Sequence, residues 1–258
     1  MMSGHVNKPR VAFYDFASCE GCQIELTNYG DDVFLNLLQH IDLVECRETM
    51  SEKTTMAVDI ACIEGSFTRE KDRQRLLDIR EKSAIVIAYG QCAVSGGINS
   101  LKNHIPDYAQ CVYAEHSRDK QLQSQSALPI SDVIKVDYAV YGCPINRNEF
   151  LQILFHLLHL KQPVIPDYPV CVECKRHETP CRIEFQADAY CLGMVARAGC
   201  DAPCPAAGIP CDACRGLVSD ANLRAAMQLL KKKTGGQSER ALNIFRLFNA
   251  QIIDKPLM

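Results

Sequence analysis

Ala84-Ile85-Val86-Ile87-Ala88-Tyr89, followed at once by Gly90-Gln91-Cys92, is the stretch on which the fold turns. The run has no polar face, so it reads as a strand buried on both sides, the pattern of a parallel sheet covered by helices. Upstream, Val11–Tyr14, Leu43–Cys46 and Val58–Ile63 read as further strands, and Ile134–Tyr141 downstream as a fifth. Between them lie helical spacings over Gln23–His40 (interrupted near Gly30), Thr68–Lys82 and Arg147–Leu160. Strand and helix in alternation predict an α/β chain built on a flavodoxin-like, doubly wound parallel sheet.

From Pro163 to about Leu217 the periodicity fades, and prolines, glycines and eight cysteines replace it. Two helices, Ala221–Lys233 and Glu239–Ile252, follow on either side of Gly235-Gly236. The expected organisation is a sheet domain over residues 1–165 and a smaller domain over 166–258. The second has too few apolar side chains to bury a core of its own, and bound metal would supply the crosslinks.

Bulk composition narrows the function classes. A net charge of −3 gives no footprint for nucleic acid. The single cationic run, Lys231-Lys232-Lys233, sits at a helix end where it opposes the helix dipole. No stretch reaches the ~18 apolar residues of a membrane span. The start, Met1 to Lys8, has no apolar signal segment, so a cytoplasmic protein is expected. Cysteines crowded into a protein of a reducing compartment more often bind metal than form disulfides, and fifteen is an odd number.

Twelve of the fifteen fall into two groups. Cys19, Cys22, Cys92 and Cys143 each follow a strand, in Cys19-Glu20-Gly21-Cys22, Gly90-Gln91-Cys92 and Gly142-Cys143-Pro144. Ligands of open parallel sheets bind beyond the carboxyl ends of the strands. Three loops there could therefore bring four thiolates around one cubane iron–sulfur cluster. The other eight are Cys171, Cys174, Cys181, Cys191, Cys200, Cys204, Cys211 and Cys214, enough for two more cubanes. Zinc held by four thiolates suits such spacing as well. Cys46, Cys62 and Cys111 adjoin no glycine turn and read as packing residues, Cys111 in a strand-like stretch. His177 reads as an exposed loop histidine.

Phe16-Ala17-Ser18-Cys19-Glu20-Gly21-Cys22, Ile63-Glu64-Gly65-Ser66, Gly90-Gln91-Cys92-Ala93-Val94-Ser95-Gly96-Gly97 and Gly142-Cys143-Pro144 run in this order through the first 145 residues. Together they resemble the small subunit of [NiFe]-hydrogenases, in the wider family of the NADH:ubiquinone oxidoreductase 20 kDa subunit. The branch most similar is the cytoplasmic, soluble one of sulfhydrogenase δ-subunit type. The likeness continues through Cys191-Leu192-Gly193, Ala198-Gly199-Cys200, Ala202-Pro203-Cys204-Pro205 and Gly208-Ile209-Pro210-Cys211-Asp212-Ala213-Cys214. In complex I the first cysteines are adjacent, whereas here two residues separate them.

The resemblance implies an electron-relay subunit with three [4Fe–4S] clusters: proximal on Cys19, Cys22, Cys92 and Cys143, then medial and distal on the remaining eight. Its partners would be a large subunit, which alone holds the Ni–Fe centre, and a diaphorase, a sulfur-reductase-type subunit or another Fe–S or flavin electron-transfer subunit. Sequence order would group Cys171, Cys174, Cys181 and Cys191 apart from the last four. Alignment with the family's distal motif instead groups Cys171, Cys174, Cys191 and Cys200, leaving Cys181 with Cys204, Cys211 and Cys214, and is the grouping preferred. Glu20 and Glu25 are candidate proton-relay groups, although a carboxylate at a helix N-terminus is ordinary on dipole grounds. A stand-alone ferredoxin-like carrier and a zinc-held interaction module are the alternatives.

Overall fold

The computed structural model describes residues 8–27, 33–119, 124–185, 190–236 and 238–253. Its first part runs β1 (Arg10–Asp15), α1 (Gly21–Thr27), α2 (Val33–His40), β2 (Asp42–Cys46), β3 (Val58–Glu64), α3 (Arg73–Lys82), β4 (Ser83–Tyr89), α4 (Gln91–Ser95), α5 (Tyr108–Tyr113), β5 (Tyr138–Val140) and α6 (Arg147–Leu158). There follow α7 (Val170–Arg176), α8 (Arg182–Phe185), α9 (Pro203–Ala206), α10 (Leu223–Lys233) and α11 (Ser238–Ile253). The five strands form one sheet in the order β2-β1-β3-β4-β5, every pair parallel. This is the doubly wound, flavodoxin-like order, with its switch point between β1 and β3.

Period-two alternation sends side chains to both faces, and helices cover each. Val11, Phe13, Ile60, Cys62, Ile87 and Tyr89 pack against Cys22 and Leu26 of α1, Leu37 of α2 and Phe150, Ile153 and Leu154 of α6. Ala12, Tyr14, Ala61, Ile63, Val86 and Ala88 pack on the other face against Leu76 and Ile79 of α3 and Ala93 of α4. Tyr89 meets Phe13 edge-on at 6.1 Å and Phe150 at 5.3 Å between ring centroids. Full burial of a ring such as Phe150 stabilises by about 1.5–3 kcal/mol, so this triad pins α6 over the sheet centre.

Several expectations are adjusted. The 23–40 helical stretch is two helices, and its Gly30 interruption lies outside the described residues. The Thr68–Lys82 helix starts as a 3-10 turn at Glu70–Asp72. β5 keeps only Tyr138–Val140, because Ile134 and Val136 join the core from an irregular segment without pairing to β4. Cys46 and Cys62 are buried, but Cys111 lies in helix α5 and is exposed, so it does not pack. The cysteine-rich segment also has an apolar cluster. Val170, Leu192, Val195 and Leu217 pack with Ala226 and Leu230 of α10 and Ala241 and Phe245 of α11. The two terminal helices supply the apolar side chains that the segment lacks.

The two parts are bound together by charge and by α11. Arg215, 3% exposed, makes a bidentate pair with Glu149 of α6 at 2.8 and 2.7 Å. It also donates to the Tyr141 carbonyl. On α11, the Phe248 carbonyl accepts from Gln91 and Ser95, and Asn249 donates to the Ala213 carbonyl. Among the described residues, no helix is long and apolar enough to cross a membrane.

Candidate metal centres

Backbone hydrogen bonds draw three loops together at the carboxyl edge of the sheet. Gly90 N–H donates to the Val140 carbonyl and Gln91 N–H to that of Gly142, which joins the loop of Cys92 to that of Cys143. Phe16 N–H donates to Glu64, and Ala17 and Ser66 exchange a pair of bonds, which joins the loop after β1 to that after β3. The C-x-x-C segment thereby lies over the switch point, where the diverging crossovers leave a crevice.

Glu64, at the end of β3, is the residue that fixes this loop. Its carboxylate is 2% exposed and accepts from the N–H groups of Cys22 (3.2 Å) and Gln23 (3.1 Å). It thus satisfies two of the unpaired donors at the start of α1. Burial raises its pKa, and the two N–H groups act the other way. The carboxylate was legible in the motif Ile63-Glu64-Gly65-Ser66, but no role for it was. Its partners lie 42 and 41 residues upstream in sequence, and only the β1–β3 pairing makes them neighbours.

Cys92 and Cys143 lie within electrostatic reach of each other and of Cys19 and Cys22. Burial pushes Cys22 up, as do Glu64 and the Cys92 and Cys143 thiols. Cys92 is pushed up to about 12 by burial, Cys143 and Cys19, and Cys143 is raised by burial and Cys19. Such thiols stay protonated at neutral pH until a cation offsets the charge, as a bound metal does. Gly90 permits the approach of backbone to sulfur. Its φ is +83°, and a Cβ there would stand 2.6 Å from Cys22 Sγ. Tyr89 OH is buried without a hydrogen-bond partner, and Glu64 and Cys22 are among the groups that raise its pKa.

The other eight cysteines form a connected series. Cys171 is raised to about 11 by burial and by Cys191, Cys174 and Cys181, and Cys174 is raised by burial, Cys191, Cys181 and Cys200. A Cβ on Gly193 would touch the sulfurs of both Cys191 and Cys171. Cys214 is raised to about 11 by burial, Cys200, Cys204 and Cys143. Burial raises Cys211, as do Cys191, Cys214 and Cys200. Cys181 thus lies within electrostatic reach of Cys171 and Cys174, Cys200 within reach of Cys174, Cys211 and Cys214, and Cys204 within reach of Cys214. Cys211 N–H points at Cys191 Sγ at 3.3 Å, and Glu173, 6% exposed, accepts from Gly199 N–H at 2.7 Å.

A zinc site of four cysteines needs its sulfurs about 2.3 Å from one point. Among the described residues, no three His, Cys, Asp or Glu side chains gather closely enough to hold one ion. The donors here are soft sulfurs, with glycine backbone close beside Cys22, Cys171 and Cys191, and that chemistry suits a multi-iron cluster. His177 is exposed and pairs with Asp201 at 2.6 Å. Glu20 pairs with Arg47 at 3.0 Å. Glu25 borders a cleft of about 380 Å3 with Arg147, Cys200 and Cys214.

Residues 19–157 match the family described as NADH ubiquinone oxidoreductase, 20 Kd subunit. Sulfhydrogenase 2 subunit delta of Pyrococcus furiosus is 31% identical over 86% of this chain and 92% of its own length. The vhu G subunit of the F420-non-reducing hydrogenase of Methanocaldococcus jannaschii is 33% identical over 80% of this chain and 81% of its own. Among solved structures, a chain of an NAD+-reducing [NiFe]-hydrogenase in the H2-reduced state superposes with a TM-score of 0.56 at 25% identity. That match covers 62% of this chain and 96% of the other. A chain of the Dm. baculatum [NiFeSe]-hydrogenase shares the fold, with a TM-score of 0.58 at 15% identity, over 81% of this chain and 94% of the other.

Proposed function

The chain belongs to the NADH ubiquinone oxidoreductase 20 kDa subunit family as a hydrogenase small subunit, and on that premise we propose that it relays electrons through three [4Fe–4S] clusters. Its partners are a large subunit holding the Ni–Fe centre and a diaphorase or sulfur-reductase-type subunit, and the complex is cytoplasmic. When bound, the clusters supply reversible one-electron chemistry. The chain's residues supply position, exclusion of water and the electrostatic setting.

In this reading Cys19, Cys22, Cys92 and Cys143 hold the proximal cluster. Glu64 orients Cys22 by gripping the first turn of α1, and Gly90 leaves room beside its sulfur. Cys200, Cys204, Cys211 and Cys214 hold the medial cluster, and Cys171, Cys174, Cys181 and Cys191 the distal one. The electrostatic influence of Cys143 on Cys214 on one side, and those of Cys200 on Cys174 and Cys191 on Cys211 on the other, support that order. Cys211 N–H, aimed at Cys191 Sγ, would stabilise negative charge on that sulfur. The division into a 1–165 sheet domain and a 166–258 cluster domain belongs to the same proposal, with Arg215–Glu149 as the bolt between them.

The observation that carries the reading is the convergence of four thiols from three loops at the carboxyl edge of the sheet, with Cys22 buried, Cys92 and Cys143 half-buried and Cys19 exposed. Metal analysis of the natively purified complex tests it. Roughly twelve irons with matching acid-labile sulfide per chain, and nickel in a co-purified larger subunit, are expected. Zinc-loaded protein free of iron would refute it, and a stable iron-loaded monomer would favour the stand-alone carrier.

A further inference from the structure

Of the two arginines buried among the described residues, Arg197 and Arg215, the second directly follows a cysteine. Gly216 N–H donates to the Ala213 carbonyl, so Cys214 and Arg215 are the two central residues of one tight turn. That turn is pinned at both ends. Asn249 donates to the Ala213 carbonyl, and Arg197 N–H donates to that of Gly216.

Each nitrogen of the Arg215 guanidinium has a partner. Nε donates to the Ala198 carbonyl at 2.9 Å, Nη1 to the Tyr141 carbonyl at 2.8 Å, and Nη2 to both oxygens of Glu149. Ala198 stands two residues before Cys200, and Tyr141 two before Cys143. The cation is thereby tied to the segments that carry Cys143, Cys200 and Cys214. A Cβ on Gly199 would stand 2.5 Å from Nη2, so the backbone beside Cys200 closes over the charge. Burial raises the pKa of both Cys200 and Cys214, and Arg215 acts the other way on each, favouring negative charge on the sulfur. Cys143, whose loop the same guanidinium holds, is raised by burial, Cys19 and Glu64. The cation therefore distinguishes between two neighbouring thiol sets. A bolt between two segments does not need that property, because apolar residues of like size replace a buried ion pair at little or no cost.

We propose that Arg215 tunes the relay: its fixed charge raises the reduction potential of the cluster held by Cys214 above the value that cluster would otherwise have. A cluster that takes up an electron gains negative charge, and a cation held out of water beside it stabilises that form with little screening. Electrons arriving at the proximal site are then drawn onward. Glu173 works against Arg215 at Cys200, where its Oε2 lies 3.8 Å from the sulfur, and Glu149 partly offsets the guanidinium that it holds. The inference rests on the relay reading. It holds for either grouping of the eight cysteines, because both place Cys214 in the medial set.

The test is a redox titration of the natively purified complex followed by electron paramagnetic resonance, on the signal that Cys214→Ser removes. Arg215→Gln/Glu149→Gln neutralises the pair as a unit and leaves polar groups in place. Its Cys214 cluster should become about tenfold harder to reduce, a fall of about 59 mV for one electron. Arg215→Lys keeps the charge and loses the planar fork, so it should move the same potential by less than half as much. A purely structural role predicts no such distinction, since both variants break the fork. An unmoved potential in the iron-replete double variant, an equal fall in Arg215→Lys, or an equal fall at the proximal cluster overturns the inference. Should the double variant lose its iron, Glu149→Gln alone decides. Freed of its counter-charge, the guanidinium should raise the potential, and an unchanged or lower value overturns the inference. A wild-type complex without iron, or without a signal that depends on Cys214, overturns the relay reading instead.

Discussion

Replacing Gly90 by alanine tests the proximal site with a built-in control. Gly90 has φ +83° and ψ 150°, a region that only glycine occupies without strain of about 1–3 kcal/mol. The added Cβ would also stand 2.6 Å from Cys22 Sγ, against the ~3.5 Å or more of an ordinary contact, so sulfur or backbone must move by about 1 Å. Preorganised sites tolerate about 0.5 Å. Gly235 is the comparison: φ is +65°, but nothing lies within 4 Å of its Cβ position. Gly235→Ala should therefore cost only the backbone strain of roughly 1–2 kcal/mol and leave the iron content intact. Gly90→Ala should cost at least that much and, in addition, lose about four irons per chain, because Cys22 no longer meets its three companions. Iron and sulfide analysis of the native complex, with denaturant titration of both variants, gives both readouts. Full iron content in Gly90→Ala, with a stability loss equal to that of Gly235→Ala, would refute the placement of Cys22 in a cluster site.

Arg215→Met should destabilise by about 3–5 kcal/mol, because it leaves Glu149 buried and unpaired, while the double variant with Glu149→Leu should recover much of the loss. Denaturant titration of the three variants measures this. Asp137 is set below its ordinary value of 3.8: burial opposes this, but Arg80, Val86 N–H and Lys135 outweigh it. Its stabilisation is therefore present above pH 3.8 and lost as pH falls through the lower folded value, so Asp137→Asn should cost about 1 kcal/mol near neutral pH and nothing in strong acid. Comparing the two proteins' denaturation midpoints across acid pH would show that convergence. Cys181→Ser should remove the same spectroscopic signal as Cys174→Ser, and Cys211→Ser a different one. A shared signal for Cys181 and Cys211 would restore the alignment-based grouping. Cys111→Ser, on an exposed helix, should leave iron content unchanged.

How far the sequence could be read depended on whether a residue's partners were local. The Ala84–Tyr89 run was decisive because an unbroken apolar strand needs cover on both faces, whatever surrounds it. Ile134 and Val136 misled because burial requires apolar atoms and not strand pairing, so core residues in an irregular segment look the same as a strand. Around Cys111, a short mixed run could not separate helix from strand, and the helix is short and solvent-facing. At the candidate site, the thiol positions were legible from the glycine turns beside them. Glu64, Gln91 and Arg215 were not, because their contacts join segments far apart in the chain. The neighbours of Cys181 likewise depend on how the loops fold back, and spacing does not encode that.

Helix α11 carries a consequence for biosynthesis. Gln91 and Ser95, either side of Cys92, lean on a carbonyl 157 and 153 positions further along the chain, while Asn249 reaches back beside Cys214. During translation the thiols of Cys19, Cys22 and Cys92 therefore emerge long before the wall that covers the Cys92 loop. The Cys92 loop gains this brace only after Phe248 has left the ribosome, so it is held in place only in a chain synthesised that far. A truncated chain that ends before α11 leaves Gln91 and Ser95 without that partner, and the Cys92 loop between them without its brace.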